Sequence, residues 1–114
     1  MSRNYSTLAY EVTVVGANSK LSVAGNPHHT IQVDFTNTGG SVTALTVDLE
    51  GNLTGNNNYF AQYGTHVFAA GELTAKSAVF HVTNRPAGWV RSNITTLTAT
   101  GTTKINVYYL EGRE

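Results

Sequence analysis

The chain has 114 residues, with 7 basic and 7 acidic side chains, a formal net charge of zero and no cysteine. That length fits one domain with a sizeable core, and the composition excludes disulfides, thiolate nucleophiles and cysteine metal sites. Charged residues make up 12% of the chain, about half of the roughly 25% carried by a typical soluble domain, so no long-range field steers it toward nucleic acid or a membrane surface.

The N-terminus, Met1-Ser2-Arg3-Asn4-Tyr5-Ser6, leads into no apolar h-region. It reads as a polar arm (1–6) ahead of a single domain (7–114), with no secretory signal. The missing cysteines fit an intracellular origin. No stretch approaches the ~20 apolar residues of a membrane helix.

From there the apolar period is two, the mark of half-buried strands. Leu8, Tyr10, Val12 and Val14 alternate with Thr7, Ala9, Glu11 and Thr13. Gly16-Ala17-Asn18-Ser19 closes that run, and Gly25-Asn26-Pro27 precedes the next, in which Ile31, Val33 and Phe35 alternate with Gln32, Asp34 and Thr36. After Asn37-Thr38-Gly39-Gly40, Leu45, Val47 and Leu49 alternate with Thr46, Asp48 and Glu50. A long polar loop runs from Gly51 to Asn58, and the segment from Gly71 to Lys76 has room for one helical turn. Ala78, Phe80 and Val82 form a further strand pattern, and Ile105, Val107 and Tyr109 the last. Gly and Asn at the breaks supply the positive φ of tight turns. The pattern predicts an all-β fold, an antiparallel β-sandwich or jelly roll of about eight strands.

Chemistry is sparse. His28 and His29 are neighbours and point to opposite faces of a strand, while His66 and His81 lie far away in sequence. With Asp34, Asp48 or Glu50 they show no metal-ligand spacing, so no metal or other cofactor is expected. Asp48 and Glu50 share one strand face and read as outward and solvated, not as a catalytic carboxylate pair. No nucleophile elbow, phosphate loop or dinucleotide fingerprint occurs, so the chain is not expected to be an enzyme. The scattered Lys20, Lys76, Arg85 and Lys104 form no basic patch for nucleic acid.

Aromatics carry the binding signal. Tyr59, Phe60, Tyr63 and Phe68 follow the long loop, Trp89 follows Gly88, and Tyr108 sits on the outward side of the last strand. Such residues build cores, anchor protein interfaces or hold sugar rings. Phe60, Phe68 and Trp89 are the expected core members. Arg3, Tyr5, Tyr59, Tyr63, Trp89, Arg91 and Tyr108 are the candidate interface residues.

The stretch Leu45-Thr46-Val47-Asp48-Leu49-Glu50-Gly51, the Asn-rich loop with Tyr59-Phe60, Phe80-His81-Val82, Pro86-Ala87-Gly88-Trp89-Val90-Arg91 and the Thr-rich approach to Val107-Tyr108-Tyr109 together resemble small β-sandwich structural proteins of tailed bacteriophages. The resemblance covers about the last two-thirds of the chain. It implies a virion protein assembled in the bacterial cytoplasm, of the capsid decoration or cement type, binding the major capsid protein and itself as a dimer or trimer. A carbohydrate-binding or host-attachment module and a small tail or baseplate module are the alternatives.

Overall fold

A computed structural model of the chain describes residues 5–25 and 27–111. It is all-β apart from one helical turn and one 3-10 turn. The strands are β1 (Ser6–Val12), β2 (Gly16–Ala17), β3 (Leu21–Ser22), β4 (His29–Thr38), β5 (Val42–Asn52), β6 (Ala61–Val67), β7 (Ser77–Val82), β8 (Trp89–Ala99) and β9 (Thr102–Glu111). Helix α1 (Ala70–Ala75) falls where one helical turn was expected. Ala69 has no side-chain oxygen with which to cap it. Instead the Glu72 carboxylate reaches back to accept the Ala69 N–H at 2.8 Å.

Two antiparallel sheets form the sandwich, with strand orders β1-β9-β4-β7 and β2-β8-β5-β6. The short β3 also pairs with β8, so β2 and β3 act as one interrupted strand. Counted that way, the eight strands pair first with last, second with last but one, and so inward to β5 with β6. This is one long hairpin. The additional β4–β9 and β5–β8 pairings roll it into a jelly roll.

The chain crosses between the sheets at six connections, and two of them, the β4–β5 and β8–β9 corners, lie side by side. These corners pack directly on each other. A Cβ on Gly101, which has φ +74°, would lie 2.5 Å from the Thr38 carbonyl oxygen, and one on Gly40 would lie 2.4 Å from Thr100 backbone atoms. Asn37 ties the pair together. Its amide donates to the Thr100 carbonyl at 2.9 Å and to Thr103 Oγ1 at 2.8 Å, while its Oδ1 accepts from Gly40 N at 3.0 Å.

The core lies between the sheets where period two places it. Ile31, Val33 and Phe35 of β4 and Ile105, Val107 and Tyr109 of β9 face Leu45, Val47 and Leu49 of β5 and Val90 and Ile94 of β8. The first strand departs from the simple alternation. Register shifts between Thr7 and Ala9 and between Ala9 and Val12, with Glu11 at φ 51°, put Leu8 and Ala9 in the core and leave Tyr10 and Val14 exposed. A bulge inserts an unpaired residue and so reverses the facing of the residues beyond it.

Asp48 also departs from expectation. It is only 7% exposed, covered rather than solvated, and Gln62 Nε2 donates to its Oδ2 at 3.1 Å. Its neighbour in pattern, Glu50, is half-buried beneath Arg91. Among the expected core aromatics Phe68 is buried, whereas Phe60 and Trp89 are half-buried at the margin.

Candidate functional site

The outer face of the β1-β9-β4-β7 sheet follows from the same alternation that builds the core. With Ile31, Val33 and Phe35 turned inward, Thr30, Gln32 and Asp34 of β4 point out. Cross-strand register then sets three rows: Leu110–Thr30–His81, Tyr108–Gln32–Val79 and Asn106–Asp34–Ser77. Tyr5, just before β1, closes one side. Its ring meets Tyr108 edge-on, with centroids 5.2 Å apart and planes at 80°.

Between Tyr5, Tyr108, Val79 and Leu110 lies a groove of about 430 Å³ floored by Thr30, Gln32 and Asp34. Asp34 is its charged member. Asp34 Oδ1 accepts the Ser77 hydroxyl at 2.8 Å, and Gln32 Nε2 donates to the two Asp34 oxygens at 3.3 and 3.2 Å. Thr30 Oγ1 and His81 Nδ1 are 3.1 Å apart. Partial burial, reinforced by the nearby Asp34 charge and by Tyr5 and Tyr10, raises the Tyr108 phenol above its ordinary range.

Beneath the groove, Tyr109 points into the core. The buried His29 ring spans Tyr109 and the Arg85 carbonyl. A carbonyl only accepts, so Nε2 donates to Arg85 at 2.8 Å, and in the neutral imidazole Nδ1 then accepts the Tyr109 hydroxyl. Burial pushes the Tyr109 phenol strongly up.

The second aromatic group sits on the other sheet, at the end bearing the Asn-rich loop. Lys20 Nζ lies 5.1 Å over the Trp89 ring, the Arg85 guanidinium 5.6 Å over Tyr63, and that of Arg91 4.2 Å over Phe60. Each cation is itself placed by the charge of an aromatic face and, for two of them, by further bonds. Lys20 donates to the Gly55 carbonyl at 2.6 Å, and Arg91 Nε to Glu50 Oε1 at 2.6 Å. Asn93 supplies Glu50 Oε2 at 3.0 Å, and the Tyr63 hydroxyl donates to Pro86 O at 2.7 Å.

The asparagines of the adjoining loop are structural. Asn52 Oδ1 accepts from Gly55 N at 2.7 Å, and Asn56 Oδ1 accepts from Asn58 N at 2.9 Å, the side-chain mimicry of a turn.

The sequence-derived candidates therefore divide. Tyr5 and Tyr108 come together in the groove. Tyr63, Trp89 and Arg91 gather around the other sheet's loop end, near the exposed Tyr59. Arg3 lies outside the described residues. Gln32, Asp34 and Val79 were not anticipated as site residues. Their outward facing is legible from alternation, but their alignment with Tyr108 depends on register. The histidines disperse: His29 to the core, His66 to Glu72 at 2.9 Å, and His81 to the outer face beside Thr30. Among the described residues no three His, Asp or Glu side chains converge.

No protein-family model matches the chain, and no curated protein matches it in sequence. Solved structures do match in fold. The SPBc2 prophage-derived protein YomS superposes with a TM-score of 0.52 at 8% identity, over 96% of this chain and 95% of that one. A capsid protein of equine rhinitis A virus superposes with a TM-score of 0.53 at 11% identity, over 97% and 73%. A carbohydrate-binding module of the CBM4 type gives 0.50 at 14% identity, over 92% and 64%. The chain thus has a β-sandwich fold of the kind found in prophage-derived proteins, viral capsids and carbohydrate-binding modules.

Proposed function

We propose that this chain is a non-enzymatic structural protein of a phage virion, a decoration or cement subunit that binds the major capsid protein as a dimer or trimer. The observation that carries the reading is the match of nearly the whole chain to nearly the whole of a prophage-derived protein. The described residues complete a two-sheet sandwich among themselves.

Surface chemistry supports an assembled life. The chain carries few charges, so little desolvation opposes protein contact. Its loop end offers Leu53 and Tyr59, 72% and 71% exposed, within a loop already fixed by Asn52 and Asn56. A preordered loop docks with little loss of entropy. Repetition of that end around a symmetry axis would give a small subunit multiple contacts on a shell.

The test is to purify particles with and without this chain, count its copies by cryo-electron microscopy and compare shell rupture on heating. We expect occupancy at repeated positions on the head and earlier rupture of shells lacking it. A few copies confined to tail or baseplate would reassign the part, and unchanged shell stability would end the cementing role.

A further inference from the structure

Phe60, Tyr63 and Trp89 each lie beneath a cation of their own chain. Among the described residues no cation covers Tyr5 or Tyr108, which meet edge to face, so that the edge of one ring engages a single face of the other. The electron-rich face of an aromatic ring attracts polarised hydrogens as it attracts cations, so these two rings offer an unused attraction on the first sheet.

Beside them stand side chains with hydrogen-bonding capacity to spare. A carboxylate has about four acceptor positions, and Asp34 is engaged by Ser77 and by the long contacts from Gln32. Among the described residues the Gln32 carbonyl oxygen has no donor. A ligand here must therefore bring an apolar C–H surface and closely spaced hydroxyl donors together.

Charge and polarity narrow the ligand further. Among the described residues no lysine or arginine lines the groove and Asp34 does, which disfavours phosphate, sulfate and uronate groups. A purely apolar partner would strand Thr30, Gln32 and Asp34 without water, a costly burial. The volume of about 430 Å³ falls in the range of about 300–1,000 Å³ usual for small-molecule sites.

We propose that the groove between Tyr5 and Tyr108 is a binding site for a neutral carbohydrate, with the two rings taking the C–H faces of the sugar and Gln32, Asp34 and Thr30 its hydroxyls. The site does not depend on the virion assignment, which concerns where the chain resides, and the two are tested by different measurements.

The experiment titrates the full chain with cellohexaose, xylohexaose, maltohexaose and mannohexaose, with oligogalacturonate as the acidic comparison, followed by backbone amide NMR. At least one neutral hexasaccharide is expected to bind, with shifts centred on Gln32, Val79 and Tyr108. Tyr108→Ala and Tyr5→Ala should each weaken binding by up to roughly tenfold, the scale of one ring contact. Tyr5 is 66% exposed, so its variant stays folded and keeps the test decisive. Val67→Ala, 67% exposed on β6 of the other sheet, should leave affinity unchanged. Failure of all four neutral sugars to bind would overturn the proposal, as would binding of oligogalacturonate alone. So would shifts centred on Trp89, or affinity that survives both tyrosine variants.

Discussion

The two aromatic groups of this molecule are built from similar residues and left in opposite states. At the loop end of the β2-β8-β5-β6 sheet, Trp89, Tyr63 and Phe60 are covered by Lys20, Arg85 and Arg91. Two of those cations are held by the Gly55 carbonyl and by Glu50. On the outer face of the β1-β9-β4-β7 sheet, Tyr5 and Tyr108 meet edge to face beside a polar floor. The first group spends its aromatic surface on internal ties and so serves stability. The second leaves that surface open, and open aromatic surface is what a ligand can use. Aromatic content alone does not distinguish a site from a brace; the occupancy of the ring faces does.

Substitutions that break the closed group should cost the most. Gly55 has φ +82°, and a Cβ there would sit 2.8 Å from the Trp89 ring. Gly55→Ala should therefore destabilise by about 2–3 kcal/mol, from backbone strain and overpacking together. A urea midpoint equal to that of the parent chain would show that Trp89 is not braced as described.

Arg91→Ala comes next. It uncovers Phe60 and leaves the mostly buried Glu50 carboxylate with Asn93 as its remaining donor. We expect a loss of about 2 kcal/mol, below the roughly 3–5 kcal/mol of a fully buried pair because water reaches part of this one. Arg91→Lys should recover little of it, since a lysine lacks the planar face over Phe60.

The boundary between groove and core can be probed with pH. The folded state holds the Tyr109 phenol protonated well beyond its ordinary range, which for tyrosine is centred near about 10. The unfolded chain therefore releases this proton first. Stability is intact below about pH 10 and falls above it, by up to about 1.4 kcal/mol per pH unit. Tyr109→Phe should flatten that alkaline slope while lowering stability at neutral pH, because His29 Nδ1 loses its donor. Parallel slopes for the two proteins between pH 9 and 11 would contradict the buried phenol.

Tyr5→Ala should have the smallest effect on folding, within about 0.5 kcal/mol, as befits a surface residue outside the core. Its thermal midpoint beside that of Arg91→Ala is the sharpest form of the contrast. Comparable losses would mean that the open group is also a brace.

Much of the fold was legible because strands buried on one face must alternate. On β4, β5 and β9 every expected inward residue is buried, and the helical turn and main corners fall at the anticipated Gly and Asn residues. The first strand was misleading at Tyr10 and Val14. A bulge changes facing without changing composition, and nothing in Thr7–Val14 marks where the extra residue is inserted. Asp48 was misread for a related reason: facing away from the core does not ensure contact with water when Gln62 lies over it. Tyr108 was legible as outward, but its neighbours Gln32 and Val79 were not assigned to it, because register across β9, β4 and β7 relates residues far apart in the chain.

Local chemistry by itself determined an all-β sandwich without disulfides, the inward residues of β4, β5 and β9 and the Gly and Asn positions of its turns. These follow from the two-residue repeat of a strand and from the φ values that tight turns require. Only the tertiary structure decided that one long hairpin rolls into a jelly roll and that Lys20, Arg85 and Arg91 close the rings of one sheet. It alone placed Tyr5 against Tyr108 over Gln32 and Asp34 on the other. Those outcomes depend on strand register and corner packing, which join distant parts of the chain and leave no local mark on the residues they bring together.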